Sequence, residues 1–223
     1  MKNDKLKIIY EDKYLLIVDK PHQLLTIANS KETENTLYHK AYVYLKRKNK
    51  NNKIFIVHRL DYETSGLVVF AKDVKTKMIL QNNWNNVVRK YMAIVNGQVD
   101  KDRETIKSYL KETKTNLVYS TNDSKFGQLA ITNYRKIINT KEYSLLDIEI
   151  KTGKKNQIRV HMQDIGHPVL GDKKYGPKCK ENRMYLYAYY LRFQHPMVDK
   201  NIEIELDVPK AFMIKLNKMS NKS

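Results

Sequence analysis

Apolar residues along this chain fall into short runs that are separated by polar turns. In residues 146–150, for example, leucine and isoleucine alternate with Asp147 and Glu149. Alternation with a period of two is typical of a strand that has one buried face. The runs predict strands at residues 6–10, 14–18, 54–57, 67–71, 91–95, 146–150, 185–193 and 202–206.

Apolar residues at helical spacing predict three helices, at residues 36–46, 74–84 and 155–165. Asn35 is the predicted cap of the first helix, and Gly166 is the predicted end of the third. Residues 101–124 are polar and charged, which predicts a loop and an edge strand. Many strands with a few interspersed helices indicate an α+β or mixed α/β fold. We expect one domain over residues 1–223, with a short disordered tail at its end.

The charge of the chain is strongly unbalanced. It has 42 Lys and Arg against 24 Asp and Glu, a formal net charge of +18, and a pI near 9.7. Such a charge repels itself in the compact state, so a polyanionic partner is the simplest explanation, and nucleic acid is the usual one. Solubility in a lysine-rich proteome is the alternative. The basic stretch at residues 46–53 has no apolar period, which predicts a solvated loop, with a phosphate contact as the alternative.

Cysteine content and hydropathy limit the class of protein further. Cys179 is the only cysteine, which excludes an internal disulfide and a cysteine-based zinc site. The first residues lack the apolar core of a signal peptide, and no apolar run approaches the length of a membrane span. We therefore expect a cytoplasmic protein with no membrane partner.

The polar segment at residues 58–66 lies between two predicted strands. Strands at both ends hold such a segment in place, so it can position reactive side chains. Asp61 follows Arg59 and Leu60 in this segment. A carboxylate in such a place can act as a nucleophile or a base if a cation keeps it ionised. The alternative is a plain turn, in which Asp61 and Thr64 bind local backbone N–H groups.

The predicted helix at residues 155–165 carries a polar flank beside an apolar face. Asn156, Arg159 and Gln163 lie together on that flank. Arg159 can then offer a guanidinium to a carboxylate or to a phosphate. An ordinary exposed arginine is the alternative, and from this pattern alone it is the more common case.

One longer pattern is specific. Residues 58–72, HRLDYETSGLVVFAK, resemble the HRLD-x-x-TSG-hydrophobic-FAK signature of the RluA-type pseudouridine synthases. Other segments resemble further motifs of this family in the same order along the chain. These segments are residues 9–12, 18–21, 89–95, 152–161, 166–176 and 186–196.

The resemblance implies that the protein isomerises uridine to pseudouridine within RNA, without a cofactor or a metal. The sequence does not indicate an oligomeric state, so a monomer is the default expectation. Ribosomal RNA is favoured over transfer RNA as the substrate. The implied architecture is the pseudouridine synthase fold, an extended and mostly antiparallel mixed sheet with flanking helices and a central basic cleft. An enzyme of this kind must extrude the target base from the RNA, and an aromatic face can receive it.

Site residues follow from the matched positions. Asp61 corresponds to the catalytic aspartate, Tyr91 to the tyrosine that packs on the flipped uracil, and Arg159 to the arginine that pairs with the aspartate. Arg59 falls where the family inserts a side chain into the RNA stack. The further predicted RNA contacts are Lys90, Lys154, Asn156 and Gln157.

Three positions depart from the family pattern. Lys154 and Asn156 stand where the family usually has arginine and histidine, and Tyr187 stands where histidine is common. Lysine keeps the charge but loses the planar fork of arginine, so we expect an effect on substrate choice rather than on activity. The separate N-terminal S4 module of many relatives is expected to be absent.

Two other readings compete with this one. A catalytically silent RNA-binding protein could use the same fold, although such a protein has no reason to desolvate Asp61 near phosphates. A metal-dependent hydrolase could use His58, His161, His167, Asp61 and Asp172, although their spacing matches no common metal motif.

Overall fold

A few helices are interspersed among many strands in the computed structural model, which describes residues 6–220 and, of these, the side chains of residues 6–217. The chain divides into two units. The first contains the described part of Met1–Val87 together with Arg192–Glu203. The second contains Val88–Leu191 and the described part of Ile204–Ser223. Each unit has both strands and helices, which agrees with the predicted α+β class.

The first unit is built on antiparallel strands. β2 pairs with β1 and with β4, and β3 pairs with the last residues of β4. Every residue of β4 is buried, and Leu15 to Val18 of β2 are completely buried. The elements of this unit are β1 (Lys7–Glu11), β2 (Leu15–Lys20), α1 (Leu37–Lys48), β3 (Phe55–Ile56), β4 (Ser65–Ala71), α2 (Val74–Asn82) and a 3-10 turn (Trp84–Asn86).

The start, the buried face and the end of helix α1 can each be traced to particular residues. The Thr36 side chain accepts a hydrogen bond from the backbone N–H of His39 at 3.1 Å and so caps the first turn. Leu37, Ala41 and Leu45 recur at every fourth position and form the buried face. The helix ends at Asn49, where the backbone becomes extended.

The second unit contains a sheet with the strand order β5-β9-β8-β6-β7, and each of these ladders is antiparallel. Tyrosines, leucines and Phe212 form its largest described core cluster. The elements that lie wholly within this unit are β5 (Val88–Asn96), β6 (Arg103–Glu112), β7 (Val118–Thr121), β8 (Gln128–Asn139), β9 (Tyr143–Ile150), α3 (Gln157–Asp164) and α4 (Lys210–Ser220).

The chain crosses between the units in its last two strands. β10 (Leu186–Gln194) begins in the second unit and ends in the first, and β11 (Asn201–Glu205) returns to the second. The backbone N–H of His195 donates to the carbonyl of Lys200 at 2.8 Å and closes the turn between them. β11 pairs with β10, so the two strands predicted at residues 185–193 and 202–206 form a hairpin.

Most of the predicted elements are confirmed with small changes in their limits. The helix predicted at residues 155–165 is α3, and Gly166 follows it with φ of +83°. The predicted cap at Asn35 is wrong, because Thr36 provides the capping oxygen. Residues 101–124 contain the edge strand β7, as expected, but also the ten-residue strand β6 in place of a loop. The tail predicted at the last few residues falls partly on residues 221–223, outside the described chain.

Strand β6 escaped prediction because its side chains are polar on both faces. Its residues alternate between exposed and half-buried positions, and only Leu110 is buried. Ladders to β7 and β8 on its two sides satisfy its backbone groups. Backbone pairing on both sides, together with the buried Leu110 near its end, therefore holds this strand in the sheet.

A completely buried histidine lies between α3 and the sheet of the second unit. The Nδ1 atom of His161 is 2.8 Å from the hydroxyl of Thr132, and its Nε2 atom is 3.0 Å from the hydroxyl of Ser108. A neutral ring, with one donor and one acceptor, suits two hydroxyl partners. Burial lowers the pKa of His161 from 6.5 to about 4.

We predict that His161 makes folding stability sensitive to mild acid. Because its pKa is lower in the folded state than in the unfolded state, its stabilising effect is complete above the unfolded pKa and is lost as the pH falls towards the folded one. Between about pH 7 and about pH 5, the wild type should lose roughly 2 kcal/mol more unfolding free energy than His161→Gln. Urea unfolding at the two pH values measures the difference. Equal losses in the two proteins would contradict the prediction.

Candidate active site

The segment that carries Asp61 connects β3 to β4 in the first unit, as predicted. Leu60 is buried, Asp61 is half-buried, and Arg59 is exposed. The backbone N–H of Thr64 donates to the carbonyl of Asp61 at 3.2 Å, which turns the chain into β4. The segment thus presents an exposed cation and a partly accessible carboxylate two residues apart.

The hydroxyl of Thr26 holds the backbone directly before Asp61. It donates to the carbonyl oxygen of Leu60 at 2.7 Å and accepts from the N–H of Leu60 at 3.2 Å. Thr26 and Leu60 are both buried, so water cannot easily replace these hydrogen bonds, and losing them costs stability. One side chain therefore satisfies both backbone groups of the residue next to Asp61.

The ammonium group of Lys20 holds the backbone directly after Asp61. Its Nζ atom donates to the carbonyl of Leu24 at 2.7 Å, and to those of Pro21 and Tyr62 at 3.2 Å each. Lys20 is completely buried at the end of β2. Burial lowers the pKa of Lys20 to about 7, although the negative charge of Asp61 acts in the opposite direction.

His58, at the start of the segment, is held against its neighbours. Its Nε2 atom accepts from the backbone N–H of Val69 at 3.0 Å. Its ring stacks on that of Trp84, with the centroids 4.4 Å apart. These two contacts join the segment to β4 and to the 3-10 turn that follows α2.

Tyr91 and Lys90 lie on opposite faces of β5 because neighbouring side chains of a strand point in opposite directions. Tyr91 is buried and pairs with Ile148 of β9. The Nζ atom of Lys90 lies 4.9 Å from the ring centroid of Tyr190. The two residues therefore do not contribute to the same face of the second unit.

Arg159 forms a buried ion pair with Asp172. Its Nε donates to one carboxylate oxygen at 2.7 Å and its Nη2 to the other at 2.8 Å. The Asp172 side chain is completely buried, and the guanidinium lies 5.2 Å from the ring centroid of Tyr175. This two-bond geometry fixes the plane of the guanidinium.

The residues around the start of α3 support Arg159 from the other side. Asn156 has φ of +54° and is buried; its Oδ1 accepts from Nη1 of Arg159 at 3.3 Å, and its Nδ2 donates to the Tyr175 hydroxyl at 3.0 Å. Gln157 is buried and bonds Thr132, the hydroxyl of Thr152 and the backbone N–H of Lys154. Asn156 and Gln157 thus have partners inside the protein, whereas the Lys154 side chain is half-buried.

Three residues of this arrangement were not predicted as site residues from the sequence pattern: Lys20, Thr26 and Asp172. Lys20 had a signal, because it ends a strand that begins with four apolar residues, and a lysine needs acceptors when it is buried. Asp172 lies in the matched segment at residues 166–176 but was considered only as a metal ligand. Thr26 gave no local signal. The predicted ion pair between Asp61 and Arg159 would join the two units, and it stays a prediction.

Comparison with known proteins identifies the family. The family model described as RNA pseudouridylate synthase matches residues 14–164, which is more than half of the chain. This chain belongs to the RNA pseudouridine synthases. Its reaction is the isomerisation of uridine to pseudouridine within RNA, so the predicted enzyme class is confirmed.

Curated relatives of this family are similar over almost the whole chain. Ribosomal large subunit pseudouridine synthase C of Rickettsia prowazekii is 37% identical over 213 residues, which cover 92% of this chain and 69% of the relative. Ribosomal large subunit pseudouridine synthase D of Borreliella burgdorferi is 32% identical and covers 96% and 69% of the two chains. These matches place the chain in the predicted RluA-type branch.

A solved structure confirms the predicted pseudouridine synthase fold. Human RNA Pseudouridylate Synthase Domain Containing 4 matches with a TM-score of 0.80, and the match covers 96% of this chain and 93% of that one. Its sequence identity is 22%, so the likeness shows the fold and no more.

Two features of the described residues bear on other classes of protein. No three or more of the described His, Cys, Asp and Glu side chains are placed so that they could bind one metal ion. Over the same part of the chain, every helix is too short or too polar to span a bilayer.

We predict that Thr26→Val destabilises this RNA pseudouridine synthase. Valine has nearly the shape of threonine but leaves the buried N–H and carbonyl of Leu60 without their partner. The unfolding free energy should fall by about 2 kcal/mol or more. Thr105→Val is the matched control, because that hydroxyl bonds Asn133 at an exposed place, and it should cost less than about 1 kcal/mol. Urea unfolding compares the two variants, and equal losses would contradict a special role for Thr26.

We also predict a large cost for Asp172→Asn, because it leaves the buried charge of Arg159 uncompensated on that side. The expected loss of unfolding free energy is about 3 kcal/mol or more. Glu112→Gln is the control: it removes an acid that pairs with Lys155 where both side chains are largely exposed, so the cost should stay below about 1 kcal/mol. A small loss in Asp172→Asn, by urea unfolding, would show that the ion pair is not needed for the fold.

Proposed function

We propose that this enzyme isomerises uridine in ribosomal RNA, with Asp61 as the catalytic carboxylate and Tyr91 and Arg159 as its partners. The preference for ribosomal over transfer RNA is supported by the relatives, two of which are named for the large ribosomal subunit. The single observation that carries the role of Asp61 is the restraint of its backbone on both sides, by Thr26 and Lys20.

The reaction needs one carboxylate in a fixed place. The bond between N1 of uracil and C1′ of the ribose breaks, the ring turns, and C5 forms the new bond to C1′. The proton on C5 leaves, and N1 ends with a proton, so atoms and electrons balance without a redox partner. Asp61 can attack C1′, assist its deprotonation or add to C6 of the ring; each role requires the ionised form.

Tyr91 and Arg159 supply the other two functions in this proposal. The Tyr91 ring receives the extruded uracil. This role is supported by the match of Tyr91 to the tyrosine position of the family motif. Arg159 offers its guanidinium to the Asp61 carboxylate as a charged hydrogen-bond donor. The ion pair with Asp172 supports this role because it holds the guanidinium rigid.

Arg59 and Lys154 are the RNA contacts that we retain. Arg59 is exposed two residues before Asp61, which suits a side chain that enters the RNA stack. Lys90, Asn156 and Gln157 are left out of the proposal: Lys90 lies on the face of β5 away from Tyr91, and the amide groups of the other two bond within the protein. The enzyme is proposed to work as a cytoplasmic monomer without metal, and its net charge of +18 opposes self-association.

We predict that Asp61→Asn abolishes isomerisation. Asparagine has the same shape but no charge for the chemical step, so turnover should fall by roughly a thousandfold or more, while RNA affinity stays within a few-fold. Release of tritium from RNA labelled at C5 of uridine measures turnover, and fluorescence anisotropy measures binding.

Glu63→Gln is the control for Asp61→Asn, because it removes a charge two positions away, and it should retain most of the turnover. Retained turnover in Asp61→Asn would exclude Asp61 from the mechanism. A wild-type protein that binds RNA but releases no tritium would support the silent RNA-binding alternative. Mapping pseudouridines in total RNA from cells that lack this gene tests the preference for ribosomal RNA.

A further inference from the structure

A strongly basic surface lies at the end of α1. Between residues 35 and 60 the chain has seven Lys and Arg and no acidic residue. An open concavity of about 540 Å³ lies here, lined by Tyr42, Val43 and residues 46–50. We define the basic surface as Tyr42, residues 46–50 and Lys53. Arg47, Lys48, Lys50 and Lys53 are exposed.

Local interactions compensate only part of this charge. Lys46, Arg47 and Lys48 occupy the last turn of α1, where the helix dipole favours cations. The helix end offers only about half an elementary charge, and the surface has five cations. Glu11 bonds Lys48, but it also pairs with Lys72, so it does not neutralise further cations of the surface. More than three positive charges therefore remain.

Arg47, Lys50 and Lys53 carry this excess. Among the described residues, none of the three has an acidic side chain within ion-pair distance. Lys46, in contrast, donates to the carbonyl of Lys50, and its Nζ lies 5.5 Å from the ring centroid of Tyr42. Tyr42 is 39% exposed, so the cations adjoin an accessible aromatic ring. Cations beside an aromatic ring are the combination that binds a single-stranded nucleic acid.

The basic surface and Asp61 are joined by a short piece of chain within the first unit. Lys53 and Asp61 are eight positions apart in the chain, so the two Cα atoms are at most about 29 Å apart. One strand of nucleic acid advances by about 3.4 Å per nucleotide in a duplex. RNA that enters the site of Asp61 therefore needs fewer than about ten further nucleotides to reach the basic surface.

We propose that the basic surface binds the phosphate backbone of the substrate RNA beside the target uridine, outside the catalytic pocket. This inference rests on the proposed function in one respect, namely that the bound RNA is the substrate of the enzyme. Arg47, Lys50 and Lys53 each neutralise a phosphate, and Tyr42 offers a ring to an adjacent base. The surface thus adds affinity that does not depend on the identity of the target nucleotide.

The test removes these three charges from the full-length protein with Arg47→Gln, Lys50→Gln and Lys53→Gln combined. The probe is a fluorescein-labelled polyuridylate of about 30 nucleotides, titrated by anisotropy at several salt concentrations. Affinity at low salt should fall about tenfold or more, and the slope of log affinity against log salt should become shallower by about 2, since each phosphate on a single strand contributes about 0.7.

The control changes the same charge elsewhere, with Lys75→Gln, Lys141→Gln and Lys210→Gln combined. These three lysines are exposed and far apart in the sequence. The control should lose less than about threefold in affinity and keep most of its salt slope. Unfolding by urea must give both triple variants the stability of the wild type, because all six positions are exposed.

Equal losses in the two triple variants would overturn the proposal in favour of a general charge effect. Unchanged RNA binding in the first variant would also overturn it and would leave an acidic protein as the occupant of the surface. Tritium release from the wild type tests the proposed function separately, since the binding comparison holds whether or not the probe is isomerised.

Discussion

The position of Asp61 depends on backbone groups that must find partners inside the protein. The N–H and carbonyl of Leu60 and the carbonyl of Tyr62 flank it, and each is bonded by a side chain from the end of β2 or the turn that follows. Because Thr26 and Lys20 are buried, these bonds do not compete with bulk water. These bonds therefore fix the backbone of Asp61, and with it the point from which the carboxylate side chain extends, independently of any partner of that side chain.

The second unit fixes Arg159, its proposed site residue, in a different way. Arg159 has a long side chain with many rotamers, and the restraint acts on its planar end rather than on its backbone. The two bonds to Asp172 and the amide of Asn156 meet the guanidinium from two sides. The carboxylate of an aspartate is close to the backbone, so a fixed backbone restricts its position. The guanidinium of an arginine is at the end of a long side chain, so bonds to the guanidinium itself are needed to restrict it.

The sequence was sufficient to propose Asp61, Tyr91 and Arg159, because each lies in a contiguous motif, and apolar periodicity found most strands. It was not sufficient for the residues that restrain them. Thr26 is 34 positions from Leu60, and nothing near Thr26 indicates that its hydroxyl meets that backbone. Strand β6 was missed for a related reason, since the ladders that hold it are formed by residues distant in the chain.

The pairing of Arg159 with Asp172 has a consequence for electrostatics over distance. A guanidinium that shares two hydrogen bonds with a buried carboxylate is nearly neutral as a unit, and what remains is a dipole. The field of a dipole falls off more steeply than that of a single charge. The electrostatic effect of Arg159 is therefore strong only on a group in direct contact with the positive end of the pair. The orientation of the pair decides which group that is, and distant carboxylates are little affected.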